Sequence, residues 1–184
     1  MSLIDDNIRN AMKIVRKTQE NVGKLMIFTK NLVKESDFGY ILLTENFLRY
    51  SSDADRWGWT FGSFILLFKR NDDTKNIIYG MQIDLDDSTI RTAKYFFDND
   101  INYETRISPA ESNKYTNPLW GEGIFDLNPS ETFTKSIPKA DYIREKYSGL
   151  NYVLFAEFPL SEINAGNVQE KIFGTFDKLA AVKS

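Results

Sequence analysis

The sequence predicts an α+β fold, in which a mainly antiparallel sheet of about five to six strands packs against a long N-terminal helix and a C-terminal helix. Three observations predict it: a helical repeat of apolar residues near the N-terminus, a series of alternating apolar segments after it, and a second helical repeat near the C-terminus. The 184 residues, 42% of them hydrophobic, can bury a sizeable core. We expect a single domain, with the first helix at about 5–35, the sheet and its loops at about 39–158, and the last helix at about 167–182.

The N-terminal segment repeats apolar residues at the spacing of an α-helix. One row is spaced by three, four or seven residues and comprises Ile8, Met12, Val15, Val22, Met26 and Val33. A second row beside it comprises Ala11, Ile14, Leu25, Phe28 and Leu32. The two rows cover about half of the circumference, which is wider than the roughly 100° stripe of a surface helix. The pattern therefore predicts a helix that is buried against two neighbours, such as a sheet and another helix or protomer.

The polar side of this helix is basic, although the chain as a whole carries a net charge of −3. Residues 7–34 contain seven Lys and Arg residues against the single acid Glu20, which leaves the segment at +6. A surface of this sign attracts phosphate, anionic lipid or an acidic protein. The predicted interaction face comprises Arg9, Lys13, Arg16, Lys17 and Lys24. The alternative is that these residues form only the solvated side of a core helix.

The segments after the helix alternate as strands do. Residues 40–50 fit one strand or a strand pair, and residues 61–69 are apolar on both alternating sets, which indicates a central strand covered on both faces. Residues 71–75, Asn-Asp-Asp-Thr-Lys, are typical of a turn, and residues 76–85 alternate again. The two segments and their turn predict an antiparallel hairpin.

The remaining segments predict further strands, helices and a long loop. Residues 88–97 fit either a short helix or a strand. Further along, the patterns predict a strand at 101–107, a long loop at 109–136, a short helix at 138–147 and a strand at 151–158. Asn167 and Glu170 resemble a capping box that opens the last helix. The predicted buried face of that helix comprises Val168, Ile172, Phe176 and Leu179.

The composition excludes several kinds of chemistry, because the chain has no histidine and no cysteine. Thiol nucleophiles, zinc fingers, iron–sulfur clusters and Ser-His-Asp triads are therefore ruled out. Carboxylate-bound Mg²⁺ or Ca²⁺, paired carboxylates, lysine or tyrosine chemistry and plain binding remain. The sequence carries no signature of a bound cofactor. No apolar run approaches the roughly 20 residues of a membrane span, and no signal-peptide layout is present, so we expect a cytoplasmic protein.

Tryptophan residues mark the first candidate site. Trp57 and Trp59 follow Arg56 and project to the same side if the backbone is extended. Trp120 lies in the predicted long loop and could close over the same place. Such a set of rings could wall a ligand pocket or form the centre of a protein interface. The alternative is that the rings cover the edge of the core.

Acidic residues at the end of the predicted hairpin mark the second candidate site. Asp84 and Asp86 are two residues apart, so on a strand they would point the same way and could share a hard cation. A metal-dependent nuclease would add a nearby acid and a lysine, for which Glu157 and Lys69 are candidates. The predicted central strand contains no carboxylate, and acidic strand ends are often simple turns.

Together these features predict a non-catalytic ligand-binding or sensory domain whose partner is a small molecule or another protein. Nucleic acid is not expected as a partner, because the isoelectric point is about 5.1. The N-terminal helix is a candidate surface for a homodimer, although Gln19 and Thr29 interrupt its first row and argue against a long coiled coil. The alternatives are a Mg²⁺-dependent hydrolase and an inhibitor- or immunity-type interaction protein. The order of elements is similar to that of PAS- and GAF-type sensory domains and of restriction-endonuclease-like nucleases, in outline alone.

Overall fold

The computed structural model describes residues 3–34, 38–43, 48–51, 61–73, 76–97 and 150–182. Its helices and strands are α1 (Leu3–Val33), β1 (Tyr40–Leu42), β2 (Leu48–Ser51), β3 (Phe61–Arg70), β4 (Ile77–Asp84), β5 (Thr89–Phe97), β6 (Leu150–Pro159) and α2 (Gly174–Ala181). A 3₁₀ turn (Leu160–Glu162) and a π-helical turn (Gln169–Phe173) connect β6 to α2. The predicted α+β class is confirmed.

Every strand pairing in the sheet is antiparallel, and the order is β1-β3-β4-β5-β6, with β2 also paired to β3. The predicted hairpin is confirmed, because β3 and β4 pair from Ser63 opposite Asp84 to Phe68 opposite Tyr79. The segment that fitted either a helix or a strand is β5, which pairs along its length with β4 and with β6. The segment at 40–50 contributes two strands, β1 and β2. Each of them pairs with β3, and they do so along successive parts of that strand.

The helices pack on one face of this sheet, and the core lies between them. Phe173 and Phe176 contribute the aromatic centre, with ring centroids 5.4 Å and 5.7 Å from Phe68. Tyr40 and Tyr79 complete the group at 5.4–5.6 Å from Phe176. Ring pairs at these distances add to the energy of apolar burial. The opposite face of β3 is buried as well, which confirms that β3 is a central strand.

The last helix begins differently from the prediction. The Asn167 side chain does not cap it: its Oδ1 accepts the backbone N–H of Asn164 at 2.9 Å, and its Nδ2 donates to the Glu162 carbonyl at 2.8 Å. The capping-box prediction is therefore wrong, because Asn167 is used by the turn that precedes the helix. The predicted buried face is present, since Val168, Ile172 and Phe176 are fully buried.

A buried lysine holds the other end of α2. Lys94 on β5 is only 3% exposed, and its Nζ donates to the carbonyl oxygens of Leu179 at 3.3 Å and Val182 at 3.2 Å. These carbonyls lie at the end of a helix, where they have no partner within the helix and where the helix dipole favours a positive charge. Lys94 therefore fixes α2 to the sheet by capping it.

The helix α1 has the predicted position in sequence, and a single chain buries it over part of its length. Val22, Met26, Thr29 and Val33 face the core, whereas residues 5–18 are all exposed. Burial of the N-terminal half against a second neighbour, such as another protomer, therefore stays a prediction, and the single chain leaves this half exposed. The physical reason for this exposure is length: 31 residues of helix extend about 46 Å, whereas ten residues of strand extend only about 33 Å. Within the described ranges, no helix combines the length and the apolar character needed to cross a membrane.

Two glycines should respond in opposite ways to a methyl group. A Cβ at Gly80 would lie 2.8 Å from Cε2 of the Tyr95 ring, so Gly80→Ala should lower the free energy of unfolding by about 1–3 kcal/mol. A Cβ at Gly23 would meet nothing within 4 Å, so Gly23→Ala should raise it by about 0.5–1 kcal/mol through helix propensity. Urea denaturation of both variants measures the effects. Equal effects of the two substitutions would contradict the packing of Tyr95 against Gly80.

Alkaline pH should destabilise the fold through its buried tyrosines. Burial, and next the hydrogen bond from the Tyr40 hydroxyl to Asp177 Oδ1 at 2.8 Å, raise the pKa of Tyr40 above its ordinary value of 10.0. Burial and the nearby Asp73 raise the pKa of Tyr79 in the same direction. The unfolded chain loses these protons above about pH 10 while the folded chain keeps them, so stability is present below pH 10 and falls above it by up to about 1.4 kcal/mol per pH unit for each group.

The substitution Tyr40→Phe should therefore make the fall in stability above pH 10 shallower. Denaturation at a series of pH values from 8 to about 11.5 measures the slope. Tyr79→Phe is the matched variant, and the double variant should reduce the slope by the sum of the two effects. A slope in Tyr40→Phe that equals that of the unsubstituted protein would show that Tyr40 ionises in the folded state.

Candidate interaction surface

The exposed half of α1, residues 5–18, carries apolar side chains that face solvent. Ile8 is 59% exposed, Met12 53% and Val15 38%. Ile14, which belongs to the second row, is 67% exposed. Single apolar side chains on a surface are ordinary, but a contiguous set of them marks a binding surface. Ile8, Met12 and Val15 are three consecutive members of the first row, and we call them the exposed stripe.

The exposed stripe continues the row that packs on the sheet. Its spacing of four and three residues is kept through Gln19 and through the buried positions Val22, Met26, Thr29 and Val33. Thr29 interrupts the apolar pattern without cost, because its hydroxyl donates to the Leu25 carbonyl at 2.9 Å. One helical row therefore faces the core of its own chain over its C-terminal half and solvent over its N-terminal half.

The predicted basic interaction face lies on the other side of α1, and all five of its residues are exposed. Arg16 Nε lies 3.2 Å from Glu20 Oε1, and Arg9 Nη1 lies 3.9 Å from Asp6 Oδ1. Exposed pairs of this kind contribute little to stability. They do reduce the positive field of the face, so the charge of the exposed half is more mixed than the composition of the whole helix implies.

A cavity of about 580 Å³ lies where α1 meets the segment that follows β6. Its apolar lining comes from Val22, Leu25 and Phe28 on α1 and from Leu160 and Ile163 on the facing segment. Lys24, one of the predicted interaction residues, also lines it. The volume falls within the range of small-molecule sites, roughly 300–1,000 Å³. The cavity adjoins the point at which the first row changes from buried to exposed.

The acidic candidate site is organised around a side chain that the sequence reasoning missed. Arg91 on β5 is 2% exposed and binds three carboxylates at once. Its Nη1 donates to Asp84 Oδ2 at 2.8 Å, its Nη2 to Asp87 Oδ2 at 2.7 Å, and its Nε to Glu157 Oε2 at 2.6 Å. Burial lowers the pKa of Arg91, but the bonds to Glu157, Asp87 and Asp84 outweigh it, so its pKa is raised overall.

The geometry at Asp84 differs from the geometry expected of a metal site. Asp84 Oδ1 accepts the backbone N–H groups of Asp86 and Asp87 at 3.0 Å and 3.1 Å, and its Oδ2 faces Arg91. Asp86 lies in the turn beyond the end of β4, so the alternation of a strand does not align it with Asp84. In the described part of the chain, no group of three acidic side chains is arranged to hold a metal ion. The guanidinium of Arg91 occupies the side of Asp84 that a cation would use.

The register of the hairpin contains the signal that would have located Arg91. Gln82 pairs with Arg91 across β4 and β5, and Arg91 pairs with Glu157 across β5 and β6. Residues that pair directly project to the same face of a sheet. Recognition of residues 89–97 as a strand with a four-residue turn would therefore have placed Arg91 beside Glu157.

The aromatic candidate site cannot be assigned a geometry. Arg56, Trp57, Trp59 and Trp120 lie outside the described residues, as do the predicted strand at 101–107, loop at 109–136 and helix at 138–147. The aromatic pocket therefore stays a prediction.

Removal of the Arg91 guanidinium should destabilise the fold strongly at neutral pH. Arg91→Met leaves Asp84, Asp87 and Glu157 facing one another without a cation, and we expect a loss of about 2–3 kcal/mol, below the usual range for a buried pair because two of the acids are partly exposed. The loss should shrink at high salt concentration, because salt screens the repulsion between the carboxylates. Denaturation at pH 7 in low and in high salt measures it.

The partly exposed ion pair of Arg70 with Asp72 at 2.7 Å provides the matched control. Arg70→Met should cost no more than about 1 kcal/mol at either salt concentration. An Arg91→Met loss that is equally small would show that the cluster contributes no more than a surface pair.

The chain matches no protein-family model, and comparisons with curated proteins and with solved structures find no match. The geometry of the described residues is therefore the basis for a functional proposal. Among the described residues, the exposed stripe is the set of apolar side chains whose exposure the packing of the fold does not explain.

Proposed function

We propose that the protein is a non-catalytic regulatory or interaction domain that associates with a second copy of itself through the exposed half of α1. The observation that carries the proposal is the exposure of Ile8, Met12 and Val15 on a row whose C-terminal half is core. A helical row with this spacing is the pattern by which two helices pack against each other. The proposal accounts for apolar side chains that a single copy leaves exposed to solvent.

The balance of energies favours a reversible association over a permanent one. Each half-exposed side chain of the exposed stripe gains roughly 1 kcal/mol when it is covered, which amounts to about 6 kcal/mol for the six side chains of two copies. Loss of translational and rotational freedom costs about 4–15 kcal/mol. Even at the lower cost the net gain is only about 2 kcal/mol, below the roughly 4.1 kcal/mol of a 1 mM dissociation constant. We therefore expect a weak dimer that forms at millimolar concentration or above rather than an obligate one.

The charged cluster at Arg91 supports a non-catalytic role. Its hydrogen bonds join β4, β5 and β6 to one another, and the guanidinium already neutralises part of the charge that would attract a metal ion. The alternative of a Mg²⁺-dependent hydrolase that uses Asp84 and Asp86 therefore has weaker support.

A charge placed in the exposed stripe should abolish self-association without unfolding the protein. In Met12→Glu, a carboxylate would be buried between two copies, which is costly without a partner. Sedimentation equilibrium over a wide range of concentration should show a dimer for the unsubstituted protein and a monomer for Met12→Glu. Circular dichroism and thermal denaturation should be almost unchanged, because Met12 is exposed in a single copy.

The control is Lys17→Glu, which reverses a charge on the basic side of the same helix. Lys17 is exposed on the side opposite to the stripe, so this variant should dimerise as the unsubstituted protein does. If Lys17→Glu dissociates the dimer and Met12→Glu does not, the basic face is the interface instead. A monomer at every concentration for the unsubstituted protein would refute the proposal.

A further inference from the structure

We infer that the two copies associate with their α1 helices antiparallel, an inference that rests on the proposed function. The position of the sheet relative to the exposed stripe limits how two copies can pair. Val22, Met26 and Val33 belong to the same row as Ile8, Met12 and Val15, and they pack into the core formed with the sheet. The body of each chain therefore lies on the same side of α1 as its exposed stripe.

A parallel pair does not fit this arrangement. Two helices in contact have axes about 8–10 Å apart, and each exposed stripe must face the other helix. In a parallel pair, the C-terminal halves of both helices would then face each other, with both sheets required in the space between them. One sheet and the helix packed on it already need about 10 Å. The two bodies would occupy the same volume.

An antiparallel pair has room for both bodies. The exposed half of α1 is about 21 Å long, from residue 5 to residue 18, and each of its residues is exposed. When two such halves lie side by side in opposite directions, each body lies beyond the N-terminus of the other helix. The exposed stripes then meet over their whole length and the bodies lie at opposite ends.

The charges of the exposed half also favour the antiparallel direction and a second copy as the partner. Two charges adjoin the exposed stripe on the same flank: Asp5 is three residues before Ile8, and Arg16 is four residues after Met12. An antiparallel pair brings Asp5 of one helix towards Arg16 of the other, whereas a parallel pair aligns each charge with its own kind. The opposed directions of the two helix dipoles act in the same sense. This surface is therefore complementary to itself.

Disulfide trapping tests the direction of the two helices. Because the chain has no cysteine, only the engineered thiols can form disulfides. The variants Ile8→Cys, Met12→Cys and Val15→Cys each place one thiol on the exposed stripe. A disulfide needs Cα atoms within about 7 Å of each other. Each variant is oxidised alone and in mixtures of two, at a concentration where sedimentation shows the dimer, and peptide mass spectrometry identifies the joined residues. Lys17→Cys on the opposite side of α1 is the control for random collisions.

We expect the disulfide between Ile8→Cys and Val15→Cys, and the disulfide of Met12→Cys with its own copy, to form in several-fold excess over the disulfides Ile8–Ile8 and Val15–Val15, because residues 5–18 of one helix lie beside residues 18–5 of the other. In an antiparallel pair the two ends of the exposed stripe cannot both meet their own copies, because they lie seven residues, or about 10 Å, apart along the helix. A predominance of same-position disulfides at Ile8 and Val15 would overturn the antiparallel direction and leave the proposed self-association intact. Disulfides at the control level, with a monomer by sedimentation, would refute both.

Discussion

The structure depends on the burial of one helical row by a sheet that is shorter than the helix. The core cluster of the sheet and of the segment 163–176 includes Val22, Met26 and Val33, and this contact fixes where α1 lies. Strands of eight to ten residues are much shorter than 31 residues of helix, and within the described residues about half of the row stays exposed. The fold and the candidate interaction surface therefore have the same origin. They are the covered and the uncovered parts of one row.

The covered part is held by contacts that join distant parts of the chain. The Tyr40 hydroxyl donates to Asp177 at 2.8 Å, which links β1 to α2 over 137 residues. Lys94 binds the end of α2 from β5, and Phe173 and Phe176 fill the space between helices and sheet. The helix-bearing face of the sheet is thus closed by aromatic rings in its centre and by hydrogen bonds at its margin. This packing gives α1 a rigid base from which its exposed half extends.

The sequence was informative where structure follows from neighbouring residues and less so where it depends on distant ones. The alternation in β3 and β4 and the turn between them sufficed to predict the hairpin, because register there is local. Arg91 was missed because its three carboxylates come from β4, the turn after it and β6, and only the sheet register brings them together. How much of α1 its own chain buries was not predictable in the same way, because periodicity reports which side of a helix is apolar and carries no information about how much of its length packs on the sheet. A comparison of helix and strand lengths would have revealed the excess.

The division of the row also explains why a weak association is suited to a regulatory role. A helix whose apolar row were exposed along its full length would gain enough burial on pairing to be permanently dimeric. Here half of the row is already buried in the core of its own chain. The free energy gained by burying the other half on pairing is therefore of the same order as the entropic cost of association. An equilibrium balanced in this way responds to small changes, since about 1.4 kcal/mol alters it tenfold. A change of protein concentration, or of one charge beside Met12, is therefore sufficient to move the population between monomer and dimer.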